Sequence, residues 1–174
     1  MGLETERLIL RPWELEDAEA LYELAKDTEV GPACGWPSHT SVDESRSILE
    51  KVLMNDYTYA IVLKESGQII GDISSMPLGV SRLCENEHQI EIGFWLGRAY
   101  WGNGYMTEAC KCILKECFEI LGIEKVWCAH STINDKSKRV QEKCGFAFEF
   151  LDESRSMVVN SVTSTRWEDL KVYK

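Results

Sequence analysis

The run Ile90-Glu91-Ile92-Gly93-Phe94-Trp95-Leu96-Gly97-Arg98-Ala99-Tyr100-Trp101-Gly102-Asn103-Gly104-Tyr105-Met106-Thr107-Glu108-Ala109 decides the reading of this chain. It joins an apolar, strand-like stretch to a glycine turn and then to the start of a helix. The helix is expected over Thr107–Leu121, apolar at Ala109, Ile113, Cys117, Ile120 and Leu121 and stopped by Gly122. A strand, a glycine turn and a helix N-terminus together make an anion cradle. Glycine lets the backbone approach a phosphate, and the first helical N–H groups carry partial positive charge with no intrahelical acceptor. Each charge-assisted bond contributes about 1.5 to 3 kcal/mol, so three or four hold a pyrophosphate without a lysine in the loop. A Walker loop needs Gly-Lys-Ser/Thr, which is absent, and a dinucleotide fold places its glycines after the first strand, whereas this turn follows the fourth. The bland alternative is a turn whose glycines only relieve backbone strain.

Working outward, Arg7–Trp13 alternates like an opening strand, and Glu14-Leu15-Glu16-Asp17 begins an amphipathic helix reaching Lys26. Gly31–His39, rich in Gly, Pro and Trp, is expected to be a loop. Ser41 with Glu44 forms a capping-box pattern ahead of a helix over Val42–Met54. Tyr57–Lys64, Gln68–Met76 and His88–Leu96 read as an antiparallel meander. Lys125–Ser131 is a strand, Lys136–Cys144 a helix ended by Gly145, and Phe146–Asp152 and Thr163–Val172 are expected as the closing strands. The class is α/β (α+β): a mixed, mostly antiparallel sheet of about seven strands with about four helices, in one domain covering residues 1–174.

Bulk properties narrow the function classes. With 174 residues, 44% hydrophobic and 28% charged, the chain can build its own core. A formal charge of −10 argues against nucleic-acid binding and is compatible with a cationic partner. No apolar stretch reaches membrane-spanning length and the acidic start does not resemble a signal peptide, so a soluble, cytoplasmic protein without membrane association is expected. Seven cysteines without paired CxxC spacing look like buried small apolar residues in a reducing compartment, and no zinc-ligand spacing is present.

With these elements in place, the segment over Trp101–Met106 resembles the pyrophosphate loop of GNAT acetyltransferases, Gln/Arg-x-x-Gly-x-Gly/Ala. The opening Arg7-Leu8-Ile9-Leu10-Arg11-Pro12 and the run from Asn134-Asp135-Lys136-Ser137 to Glu142-Lys143-Cys144-Gly145-Phe146 resemble the branch that acetylates ribosomal-protein N-termini. Trp101 replaces Gln/Arg, as is common in that branch, and Met106 replaces a small residue, so its side chain must turn away from the anion. The resemblance implies acetyl-CoA as co-substrate and no metal. It assigns cofactor binding to Trp101, Gly102, Asn103, Gly104, Tyr105, Met106 and Thr107, and to Phe94, Trp95 and Leu96, whose strand is to splay from Lys125–Ser131 so that pantetheine inserts. Asn134 would serve the pantetheine arm or acyl carbonyl, and Lys138 or Arg139 the 3′-phosphate.

For catalysis the resemblance implies a general base at Glu91, acting through water, with Glu87 and His88 as competitors. Ser137 would donate to the leaving CoA thiolate, and Asn134 is placed with it in the catalytic set. Each has a structural alternative: Glu91 as a half-exposed strand carboxylate, Asn134 as turn chemistry, Asp135 or Ser137 as a helix cap. Deprotonating a lysine amine near pH 7.4 costs roughly 4 kcal/mol, an α-amine under about 1, which favours a weakly basic acceptor. The expected activity is therefore transfer of an acetyl group from acetyl-CoA to a primary amine, either a protein N-terminus or a small molecule, by direct attack. The competing class is a non-catalytic acyl-CoA-binding or interaction module on the same fold. A homodimer is the default expectation for assembly.

Overall fold

A computed structural model describes residues 2–172. Its contacts divide the chain into two compact units, residues 1–74 with 94–109 and residues 75–93 with 110–174. The first unit carries β1 (Leu3–Glu4), β2 (Leu8–Pro12), β3 (Thr58–Leu63) and β4 (Ile69–Met76, to Ser74). It also holds the last residues of β5 (Gln89–Leu96) and the helices α1 (Ala18–Ala25), α2 (Val30–Cys34) and α3 (Val42–Ile48). Strand order here is β1-β2-β3-β4-β5, with β1 to β4 antiparallel to one another in turn. Alternation drives it: Leu8 and Leu10 are fully buried while Ile9 and Arg11 are less so. Gly71 on β4 has no room for a Cβ, which would meet the Trp95 carbonyl oxygen, and the Gly97 N–H donates to the Ile70 carbonyl at 2.9 Å.

The second unit holds the start of β5, most of α4 (Tyr105–Lys115), β6 (Lys125–Ser131), α5 (Asp135–Lys143), β7 (Ala147–Asp152), β8 (Met157–Thr163) and α6 (Ser164–Val172). Strand order is β5-β6-β8-β7. The parallel ladder runs from Gln89↔Lys125 to Ile92↔Cys128, and β6 continues through Ala129, His130 and Ser131 against antiparallel β8. Its core includes Ile113, Leu114, Cys117, Val126, Cys128, Val159 and Val162.

The fold is the mixed, largely antiparallel α/β class expected, with eight strands and six α-helices among the described residues in place of about seven and four. Three expectations need correction. Gly31–His39 is not all loop: Val30–Cys34 is a short helix, because Pro32 is tolerated in a first turn and Gly35, at φ 87°, closes it in the left-handed conformation. Thr163–Val172 is not a strand. The last strand is Met157–Thr163, and Ser164 onward is α6, which seats Leu170 against Gly145 while Arg166 Nε donates to the Gly145 carbonyl at 2.6 Å. The helix expected from Thr107 begins two residues earlier, at Tyr105, and passes into a wider turn over Glu116–Ile120. The capping box at Ser41 forms in part: its hydroxyl accepts from the Glu44 N–H at 3.1 Å, while Glu44 reaches back to the Thr40 N–H at 2.6 Å.

Candidate active site

In the first unit the chain leaves β5 at Leu96, makes a short 3-10 turn at Arg98–Tyr100 and enters α4 at Tyr105. Gly102 and Gly104 both stand at φ 80°, a conformation that L side chains rarely adopt. A Cβ on Gly102 would meet nothing within 4 Å, and one on Gly104 would approach Arg7 Nη2 at 3.6 Å. The turn is therefore open on the side its glycines present, with the first N–H groups of α4 beside it.

Three side chains pin this loop. Trp101 Nε1 donates to the Leu96 carbonyl at 2.8 Å. Arg98 pairs with Asp27 at 2.9 Å and Glu29 at 3.0 Å. Arg7 Nη1 donates to the Asn103 carbonyl at 3.2 Å, its Nε donates to Glu108 Oε2 at 2.7 Å, and its guanidinium lies 4.5 Å from the Tyr105 ring centre. Glu108 also accepts from the Thr5 hydroxyl at 2.6 Å and the Arg7 N–H at 2.9 Å. Burial pushes the Glu108 carboxyl up, but the bonds from Thr5 and Arg7 outweigh it and hold the group below its ordinary range. Met106 is buried, so its side chain points into the protein. Phe94 and Trp95 are half-buried and Leu96 buried. Thr107 lies in the first turn of α4.

The second unit positions the groups assigned to chemistry. Glu91, half-buried on β5 beside Trp127 of β6, accepts a hydrogen bond from the Ser81 hydroxyl at 2.7 Å. That hydroxyl in turn accepts from the N–H groups of Leu83 at 2.9 Å and Cys84 at 3.2 Å. Burial, and then the Glu91 charge, raise the Cys84 thiol against the lowering Ser81 bond. The competitors Glu87 and His88 are exposed and 3.9 Å apart, in the turn before β5.

Asn134 caps α5: its side-chain oxygen accepts from the Ser137 N–H at 3.1 Å. The Ser137 oxygen accepts from Gln141 Nε2 at 3.2 Å, and Gln141 Oε1 accepts from Asn160 Nδ2 at 2.7 Å. Gln141 and Asn160 are buried, so they orient the Ser137 oxygen and leave its O–H proton to donate elsewhere. Arg139 is exposed on α5, and Lys138 spends its charge on Glu142 at 3.9 Å.

Sequence reasoning missed the pins Arg7, Arg98 and Glu108 and the supports Ser81 and Gln141. Arg7 and Glu108 stand about a hundred positions apart, and the only signal for them was a charged residue at each edge of the two motifs that carried the resemblance.

An open glycine turn at a helix start can take an anion on its backbone N–H groups. The model for the acetyltransferase (GNAT) domain family matches residues 7–147, and the chain belongs to that family and is an acetyltransferase. An uncharacterized N-acetyltransferase, p20, of Bacillus licheniformis is 30% identical over 131 residues, 71% of this chain and 70% of that protein. A GNAT-family acetyltransferase structure from Bacillus anthracis superposes with a TM-score of 0.84 at 23% identity, covering 95% of this chain and 99% of that one. The ribosomal-protein-S5-alanine acetyltransferase structure of Vibrio fischeri gives 0.73 at 18% identity, covering 96% and 98%. Among the described residues no helix is long and apolar enough to cross a membrane.

Proposed function

We propose that this acetyltransferase takes its acetyl group from acetyl-CoA and passes it to a primary amine, in one domain spanning the chain. The observation that carries this is the pinned glycine turn opening α4. Its donors are backbone N–H groups, so the replacements at Trp101 and Met106 remove none of them, and Gly102 and Gly104 leave its face uncovered. The turn Trp101–Thr107 holds the pyrophosphate, the backbone of Phe94, Trp95 and Leu96 and the side chain of Asn134 receive the pantetheine arm, and Arg139 meets the 3′-phosphate.

Acetyl-CoA supplies an activated acyl carbon. The amine nitrogen attacks that carbon, its proton passes through water to Glu91 and on to solvent, and as the carbon–sulfur bond breaks the Ser137 hydroxyl donates a hydrogen bond to the departing sulfur, which takes its proton from water. Glu91 is favoured over Glu87 and His88 because Ser81 fixes one of its oxygens and it is the least exposed of the three. Ser137 is favoured as a donor because Asn134 already caps α5. The acceptor class spans protein N-terminal α-amines and small-molecule amines; the Vibrio fischeri enzyme is named for an alanine of ribosomal protein S5.

Release of CoA thiol from acetyl-CoA with a panel of N-terminal peptides, polyamines, amino sugars and amino acids tests the reading. Tight acetyl-CoA binding with no thiol released on any amine would favour a non-catalytic acyl-CoA-binding module. No acetyl-CoA binding at all would remove the cofactor assignment itself.

A further inference from the structure

The first unit contains a buried carboxyl that the proposed chemistry does not use. Asp72 stands on β4 directly opposite Ala60 of β3. Ala60 belongs to the apolar layer of Trp13, Ala18, Leu21, Ala25 and Leu49, so the Asp72 side chain enters that same layer. It is 5% exposed. Trp13 Nε1 donates to its Oδ2 at 2.7 Å, and no Lys, Arg or His pairs with it among the described residues. Burial pushes the carboxyl up to about 7 against the lowering effect of the Trp13 bond.

Two further indoles face this layer. Trp36 and Trp95 are half-buried against it and meet edge to face at 5.5 Å. The His39 ring lies 5.4 Å from Trp36, its Nδ1 is 2.8 Å from the Ser45 hydroxyl, and burial lowers its pKa. Cys34, at the end of α2, is exposed. Ala18, Leu21 and Ala25 of α1, and Leu49 just past α3, face the layer and are uncharged; from β2, Arg11 stands opposite Ala60 with its guanidinium paired to Asp17 at 2.7 Å.

An asparagine would satisfy the Trp13 N–H without burying a charge. A buried carboxylate without a counter-ion, bonded to one indole and sharing its apolar layer with two half-buried ones, is matched instead to a cation, which gains both the charge and the ring faces. We infer that Asp72, with Trp13, Trp36 and Trp95, is the binding site for a protonated amine. The inference rests on the acetyltransferase reading for its link to acceptors. The nitrogen that attacks a thioester is neutral, whereas the one held by Asp72 is charged. The ligand class is therefore an acceptor with at least two amine nitrogens.

The test is thermal melting of the full chain with CoA, which lacks an acetyl group and allows no turnover. The probe is 1,4-diaminobutane, the neutral control is 1,4-butanediol, and the measurements are made near pH 6 and near pH 8.5. The Asp72 carboxyl is raised above its unfolded value, so stability is lost as pH rises from the ordinary carboxyl range through about 7. Without ligand, Asp72→Asn escapes that loss and melts above the wild type near pH 8.5. The diamine raises the wild-type melting temperature more near pH 8.5 than near pH 6, leaves Asp72→Asn unmoved, and the diol does neither. If Asp72→Asn does not fold, Trp36→Leu keeps the carboxyl and must raise the half-saturating diamine concentration by about tenfold. Equal stabilisation of wild type and Asp72→Asn, or no stabilisation of wild type near pH 8.5, overturns the inference. Failure of the acetyltransferase reading appears elsewhere, as absent thiol release, and leaves this binding result standing.

Discussion

The turn at Gly97–Thr107 and the pair of segments carrying Glu91 and Ser137 solve different problems with different parts of the chain. In the turn the proposed functional groups are backbone, and side chains hold it: Trp101 on Leu96, Arg98 on Asp27 and Glu29, Arg7 on Asn103 and Glu108. In the second unit the proposed functional groups are side chains, each held by one neighbour: Glu91 by Ser81, Ser137 by Gln141. A backbone site tolerates many side-chain exchanges and fails when conformation or charge at the turn changes. A side-chain site fails at single atoms.

Gly104→Asp should give the largest effect. Its Cβ would stand in a left-handed conformation and 3.6 Å from Arg7 Nη2, drawing the new carboxylate into the turn where phosphate is proposed to sit. Calorimetry should show CoA affinity reduced by at least about a hundredfold, with the far-ultraviolet dichroism of the fold retained. Unchanged affinity would show that the backbone of this turn does not bind the anion.

Glu91→Gln keeps shape and removes one charge. Turnover should fall by about 10² to 10⁴, with the Michaelis constant for acetyl-CoA within about twofold, and the acidic limb of the pH profile should disappear. Ser81→Ala should lower turnover less, because it frees the carboxylate without removing it. A full rate in Glu91→Gln would move the base to Glu87 or His88.

Ser137→Ala separates catalysis from capping. Because the Asn134 side chain accepts the Ser137 N–H, the helix cap survives the substitution and stability should change little. Single-turnover rates should drop about 10²-fold. Asn134→Ala should instead cost about 1 kcal/mol of stability. Normal single-turnover rates in Ser137→Ala would remove it from the chemistry.

The same contrast explains what was legible in the sequence. The glycine turn and the Asn134–Ser137 motif are local, so their spacing along the chain carries their geometry, and β5, β6 and α5 were expected within a residue of where they stand. Helix α2 was hidden because Gly31, Pro32 and Gly35 are loop formers, and only the closing positive φ at Gly35 reveals the turn. The end of the chain failed for a different reason: Thr163, Thr165 and Trp167 are residue types that favour strands, and the contacts of Leu170 and Arg166 with Gly145 that hold the segment as a helix are distant in sequence. The pins Arg7 and Glu108, and the buried Asp72, depend on tertiary contact and left no local pattern.

The Arg7–Glu108 pin sharpens the comparison at its fine end, since it touches the turn without belonging to it. Arg7→Met leaves every backbone N–H of the turn in place and removes only the hold on Asn103 and Glu108. The Michaelis constant for acetyl-CoA should rise about tenfold with turnover nearly unchanged, and Arg7→Lys, which keeps charge but loses the forked geometry, should recover part of it. A purely structural pin predicts the reverse: a lower melting temperature with a normal Michaelis constant. Acid adds a second check. Glu108 is held below its ordinary pKa, so its stabilising contribution is fully present above the unfolded carboxyl value, near about 4.3, and is lost as pH falls through the lowered folded value. Melting curves should therefore show the wild type losing its advantage over Glu108→Gln on acidification below about pH 4, and keeping it at neutral pH. If the two proteins lose stability in parallel across that range, Thr5 and Arg7 do not hold the carboxylate in solution, and the turn must be kept in place by Trp101 and Arg98.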